Sequence, residues 1–141
     1  MRVSVCIAAT RAAAVGDATA SILAQTHADR ELIVVAQGSH VDDVEQAVTQ
    51  ASAGDAVRVV RDSGRGLSRA RNTAIAEAQG EIVAFTDDDC EADSRWLEEL
   101  VTRFMAEPAV GLIGGLLVAP PRAQRGFGRR GGSTSRRRKR A

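Results

Sequence analysis

The sequence has little from which to build a soft-ligand metal or redox centre. Cys6 and Cys90 are its only cysteines and His27 and His40 its only histidines, and no pair has the close spacing of a zinc finger or thiol redox motif. Two isolated structural thiols fit a reduced, cytoplasmic protein. Lysine is missing from residues 1 to 121, as are a Walker lysine motif and any G-x-G-x-x-G run. These absences weigh against P-loop enzymes and dinucleotide-binding dehydrogenases. Long apolar runs are missing too. The longest uncharged stretch, Pro108 to Pro121, holds three glycines and three prolines and is too short for a membrane span. Val3 to Ala9 reaches only the lower limit of a signal-peptide apolar region and stops at Thr10-Arg11, so it reads as a first strand.

Acidic residues are absent from the C-terminal end, and this splits the chain. Of the 19 Lys and Arg side chains, nine lie between Arg122 and Arg140, leaving ten against all 18 acids in the preceding body. The formal charge of +1 therefore averages a body near −8 with a strongly basic tail, which excludes a uniformly basic nucleic-acid module. Two parts are expected: a folded unit over 1–119 and a disordered basic tail over 120–141. The tail is rich in Pro, Gly, Ser and Arg, with Phe127 its one large apolar residue, and cannot pack a core. Its run Arg136 to Arg140 suits peripheral contact with an anionic membrane, or is solvated charge without a partner. No specific nucleic-acid partner is expected. A body of about 120 residues can bury roughly two-thirds of its unfolded surface, enough for a real core.

Within the body the hydrophobic period alternates between strand and helix, the pattern of an α/β layered fold. Val3 to Ala8, Glu31 to Ala36, Val57 to Val60 and Ile82 to Phe85 read as strands. Helical stripes run through Ala14, Ala18 and Ile22, through Val41, Val44 and Val48, through Leu67, Ala70, Ala74 and Ala78, and through Trp96, Leu97, Leu100, Val101 and Phe104. Gly80 is placed to follow the third helix as its left-handed stop, and Asp93 or Ser94 to cap the fourth. Val110 to Val118 is expected to be a last strand or strand pair interrupted by Gly114-Gly115. Such alternation implies mostly parallel pairing, and parallel sheets take ligands beyond the carboxyl ends of their strands.

Asp87-Asp88-Asp89 stands at one of those ends. Three adjacent carboxylates repel one another, so gathering them at a crevice calls for a cation, arginines or water. Hard oxygen ligands suit Mg²⁺ or Mn²⁺ completed by diphosphate oxygens; a solvated acidic turn before a helix is the plainer alternative. A second constellation is Arg65-Gly66-Leu67-Ser68-Arg69-Ala70-Arg71-Asn72, a basic glycine loop entering a helix. Arg65 or Arg69 there could meet a phosphate or nucleobase, while Arg69 and Arg71 also fit the exposed face of an amphipathic helix.

Taken in order, these segments resemble the family 2 glycosyltransferases, whose domain has the GT-A fold. Val3-Ser4-Val5-Cys6-Ile7 is similar to the family's first strand, Ser21-Ile22-Leu23-Ala24-Gln25-Thr26 to its S-x-L-x-Q helix ending, and Glu31 to Val35 with Gly38-Ser39 to its second strand. Gly66 to Asn72 matches a recurring family segment, and Gly80 to Asp89 matches the strand leading to the D-x-D metal motif. The resemblance runs from Val3 to about Val118. It implies a GT-A-like (Rossmann-like), mostly parallel α/β sheet flanked by helices and incomplete on its C-terminal side. It also implies a nucleotide-sugar donor contacted by Gln37, Arg65, Arg69, Asp87 and Asp88, and Mg²⁺ or Mn²⁺ held by Asp89.

The implied reaction is metal-dependent transfer of a sugar to an acceptor hydroxyl with inversion. The base for that step lies, in the family, downstream of the D-x-D strand; here no acid follows Val118, so no catalytic base is assigned. The chain also has Ala36-Gln37 where the family often has an Asp pair, and Ala8-Ala9-Thr10-Arg11 where Pro-Thr-Tyr-Asn is common. Both changes imply altered donor binding. A catalytically incomplete fragment that binds a nucleoside diphosphate at most is the alternative, with the tail as the product of a truncated or shifted reading frame.

Overall fold

The computed structural model describes residues 1–119; the expected basic tail over 120–141 lies outside the described residues. Four strands and four helices alternate along the chain: β1 (Val3–Ala9), α1 (Ala12–Leu23), β2 (Arg30–Gln37), α2 (Val41–Ser52), β3 (Val57–Asp62), α3 (Leu67–Glu77), β4 (Ile82–Asp87) and α4 (Trp96–Ala106). The strands form one parallel sheet in the order β3-β2-β1-β4. The chain steps outward from β1 through β2 to β3 and then returns to the far side of β1. That reversal opens a crevice at the carboxyl ends of β1 and β4, where such sheets take ligands.

Period-two alternation on β1 divides the core between two layers. Val3, Val5, Ile7 and Ala9 join Val15 and Ile22 of α1, Val44 and Val48 of α2 and Leu97 of α4 on one face. Cys6 points to the other face, where Ile33 and Val35 of β2 meet Ala70 and Ala74 of α3. Three helices thus cover one face and one covers the other. The thinner layer leaves Phe85, Leu67 and Ile75 partly in solvent. Burial pushes the Cys6 thiol up to about 11, with the nearby Glu31 charge adding to the rise. Cys6 and Cys90 are both free thiols.

Glu31 fastens the amino end of the sheet. Its carboxylate accepts from the Ser4 hydroxyl and from the Gln79 amide, and pairs with Arg2 and Arg58. Burial alone would raise its pKa, but these donors and cations outweigh it and lower the pKa. Gly80 belongs to this joint rather than to a helix stop. α3 ends at Glu77 with Ala78 already extended, and a Cβ on Gly80 would stand 2.7 Å from the Arg2 carbonyl oxygen and the Ser4 nitrogen. The residue is glycine because two backbones touch there.

Two other expectations are corrected. Val110 to Val118 joins no strand ladder among the described residues, and Leu112, Leu116, Leu117 and Val118 are largely exposed. Apolar, β-branched composition suits a strand only where a neighbour supplies hydrogen bonds, and Gly114-Gly115 adds no local preference. The residue capping α4 is Arg95, without a side-chain cap. Asp93 instead accepts the Arg95 and Trp96 amides through its side chain and carbonyl oxygens. Among the described residues no helix is long and apolar enough to cross a membrane.

Candidate functional site

The crevice at the carboxyl ends of β1 and β4 is a cleft of about 390 Å³ lined by Ala8, Thr10, Arg11, Gln37, Gly66, Leu67 and the three aspartates 87 to 89. Register creates it: Ala8 pairs with Asp87 across β1 and β4, so the residues following each strand leave the sheet side by side. Gly66, at φ 105° and ψ 139°, opens α3 against the cleft wall in a conformation that favours glycine.

The three aspartates have different surroundings. Asp88 is buried at 5% exposure. One of its oxygens, Oδ2, accepts from the Thr10 and Arg11 amides at 3.1 and 3.3 Å, while Oδ1 accepts from the Arg11 guanidinium at 2.6 Å. Asp89 is half exposed and takes a second bond from Arg11 at 2.8 Å, which lowers its carboxyl pKa. Asp87 is exposed and lies 3.6 Å from Arg71, whose guanidinium also sits over the Phe85 ring at 5.6 Å from its centroid. Ligand atoms from Asp87, Asp89 and Cys90 all lie within 4.8 Å of one another. Two hard carboxylates at an open cleft fit a divalent cation of the Mg²⁺ or Mn²⁺ type, with room for further oxygen ligands. The adjacent Cys90 thiol is a softer donor that matches these hard ions less well than the carboxylates do. Burial and the charges of Asp89 and Asp87 raise the Cys90 pKa.

Of the residues singled out from sequence, Gln37, Asp87, Asp88 and Asp89 line the cleft. Arg65 and Arg69 do not. Arg65 is exposed without an ion-pair partner among the described residues, and Arg69 turns onto Asp62 at 3.1 Å. Asp62 ends β3 and is a hub that sequence reasoning passed over: it accepts from the Gly64 amide at 2.8 Å, the Gln37 side-chain amide at 2.9 Å and the Arg69 guanidinium. The Gly64 and Gln37 bonds, more than Arg69, hold its carboxyl down at about 2. A depressed carboxylate pKa stabilises the fold above the ordinary value of 3.8 and loses that contribution as pH falls toward about 2. In urea unfolding at about pH 5 and about pH 3, Asp62→Asn is expected to lie below wild type at the higher pH and to show a smaller loss between the two. Equal losses would refute the assignment.

Arg11 was also missed, because its partners lie 77 and 78 residues away. So was the use of Ser21 and Gln25. The Gln25 side-chain nitrogen donates to the Ser21 and Asp93 carbonyls at 3.1 and 2.6 Å, and its oxygen accepts from the Leu97 amide at 3.0 Å. The Ser21 hydroxyl accepts from the Ala92 amide, and the Thr26 amide donates to the Ser94 carbonyl. The segment Ser21 to Thr26 therefore clamps the loop that follows the aspartates.

The sequence profile of glycosyl transferase family 2 matches residues 4–138. The chain belongs to this family. The match extends beyond Val118, to residue 138. A glucosyl-dolichyl phosphate glucuronosyltransferase of Haloferax volcanii is 32% identical over 98 residues, covering 70% of this chain and 31% of that protein. Among solved structures, the mannosyltransferase PcManGT from Pyrobaculum calidifontis, in complex with GDP-Man and Mn²⁺, has a TM-score of 0.69 at 29% identity over 78% of this chain and 34% of that one. The S. aureus TarS 1-349 structure in complex with UDP also reaches 0.69, at 22% identity over 77% of this chain and 33% of that one, which speaks for the fold alone. The parallel four-stranded sheet with flanking helices is thus that of family 2 GT-A glycosyltransferases, as expected. The chain spans about a third of the length of these relatives.

Proposed function

We propose that this family 2 chain binds a nucleotide-sugar donor at the β1/β4 cleft and takes part in transferring its sugar, with inversion, to an acceptor hydroxyl. The observation that carries the reading is the fixed array at the cleft mouth: Asp88 buried against two backbone amides, with Asp87 and Asp89 presented to solvent beside it. Asp87 and Asp89 would hold Mg²⁺ or Mn²⁺, with Cys90 alongside. When bound, the cation supplies positive charge to offset what builds on the departing nucleoside diphosphate. Gln37, which lines the cleft wall, would meet the nucleoside. Its side-chain nitrogen is held by Asp62, so its orientation is set before any ligand arrives.

Binding without transfer is the second reading. It is favoured by the pairing of the cleft carboxylates, Asp88 and Asp89 with Arg11 and Asp87 with Arg71, which commits each of them to a cation. Incubation of the chain with sugar-labelled UDP and GDP donors and Mn²⁺ separates the two. Donor-derived sugar on an acceptor, or released by hydrolysis, supports transfer. Saturable calorimetric binding without release supports the donor-binding role alone, and no binding of either donor would overturn both.

A further inference from the structure

We propose that Arg11 is an exchangeable counter-ion of the acidic triplet: it neutralises Asp88 and Asp89 in the cation-free protein, gives up Asp89 to a divalent cation, and then meets the diphosphate. The inference rests on the proposed reading of the cleft as a cation and nucleotide site.

The two contacts of the guanidinium are not equivalent. Asp88 is buried and its other oxygen is held by the Thr10 and Arg11 amides, so its position does not depend on the Arg11 side chain. Asp89 is half exposed, and Arg11 is the partner of its Oδ2. The atoms that come together as candidate ligands belong to Asp87, Asp89 and Cys90, leaving Asp88 out. Asp88 is thus the anchor of Arg11, and Asp89 is the carboxylate that a guanidinium and a cation would contest.

A guanidinium left at Asp89 would face a doubly charged ion at contact range. Both side chains are at least half exposed, so the repulsion is that of solvent-screened charges, worth roughly tenfold in affinity. The planar fork of arginine is also well matched to phosphate oxygens. Arg11 is 58% exposed and lines the same cleft, so the group leaving Asp89 stays within the space a diphosphate would enter. Displacing Arg11 weakens binding of the cation alone, and its contact with the diphosphate recovers that loss. The result is positive coupling between the two ligands, and such coupling is reciprocal.

The test is Mn²⁺ binding, followed by the paramagnetic resonance signal of free Mn²⁺, with and without saturating UDP, and with GDP in a parallel arm. Arg11→Gln keeps the backbone amides that hold Asp88. It is expected to bind Mn²⁺ alone roughly tenfold more tightly than wild type, and to lose a similar factor from the enhancement the nucleotide gives. Arg11→Lys, whose more strongly hydrated ammonium on a flexible stem holds the two carboxylates less firmly than the guanidinium nitrogen that bridges them, is expected to bind Mn²⁺ alone a few-fold more tightly and carries the test should the glutamine variant not fold. Mn²⁺ affinity equal to or below wild type in the folded variants, with Mn²⁺ still bound by wild type, overturns the counter-ion role and leaves the site reading intact. No Mn²⁺ bound by any of these proteins, with or without nucleotide, overturns the site reading as well.

Discussion

Asp89→Ala is expected to lose the Mn²⁺-dependent part of nucleoside diphosphate binding, by roughly a hundredfold or more. Even residues that merely support metal ligands commonly cost about 10- to 100-fold in metal affinity, and this substitution removes one of only two carboxylates in the cluster that holds Asp87, Asp89 and Cys90. The fold should survive. Asp89 is half exposed, its hydrogen-bonded partners are the exposed Arg11 and its neighbour Cys90, and the burial of Asp88 is fixed separately by backbone amides. Calorimetric titration with UDP in the presence of Mn²⁺, and again in excess chelator, reads the effect. If the variant retains the wild-type difference between those two conditions, Asp89 does not hold the ion.

Gln25→Ala should destabilise the protein by about 3 kcal/mol, reflecting three lost hydrogen bonds and a backbone amide left without its partner. The Leu97 amide sits in the first turn of α4, where helical amides lack internal acceptors, and the Gln25 oxygen accepts from it. On the other side of the same amide group, the Asp93 carbonyl tethers the loop leading away from the aspartates. Gln25 is itself buried, so water cannot simply replace the lost partners. Urea unfolding monitored at Trp96, which begins α4, would report the change. A loss below about 1 kcal/mol, the value of an ordinary single hydrogen bond, would show that the clamp is dispensable. Because the clamp fixes the loop after Asp89, weaker Mn²⁺ binding is expected to accompany the loss.

The strands and helices were legible where the hydrophobic period and the turn residues agreed. β1 to β4 fell where apolar runs predicted them, though β3 and β4 continue to Asp62 and Asp87 because parallel neighbours supply hydrogen bonds to polar residues there. Charge made the three aspartates conspicuous. What separates their roles was not legible: the burial of Asp88 and its capture by Arg11 follow from a pairing register between distant strands, which a local pattern does not encode. Gln25 was visible only as part of a family segment. Its work depends on α1 and α4 lying side by side, so nothing in its immediate neighbours announces it. Val110 to Val118 failed in the opposite direction, since a strand-like composition cannot specify a partner. Arg69 turns to Asp62, seven residues earlier, a partner that the helical pattern of its own segment does not reveal.

The pairing of β1 with β4 also fixes an order of events. Val3 pairs with Ile82 and Ala8 with Asp87, so the first strand made must await the last one described before its second edge is covered. Joining them closes a loop of about seventy residues, a costly step compared with contacts between near neighbours. A chain halted before Ile82 could pair β1, β2 and β3, yet Arg11 would have no carboxylate to meet. Completion of the sheet and appearance of the charged cleft are therefore one step in the history of each molecule. A nascent chain that stalls earlier carries β1 as an uncovered edge and none of the aspartates that line the cleft.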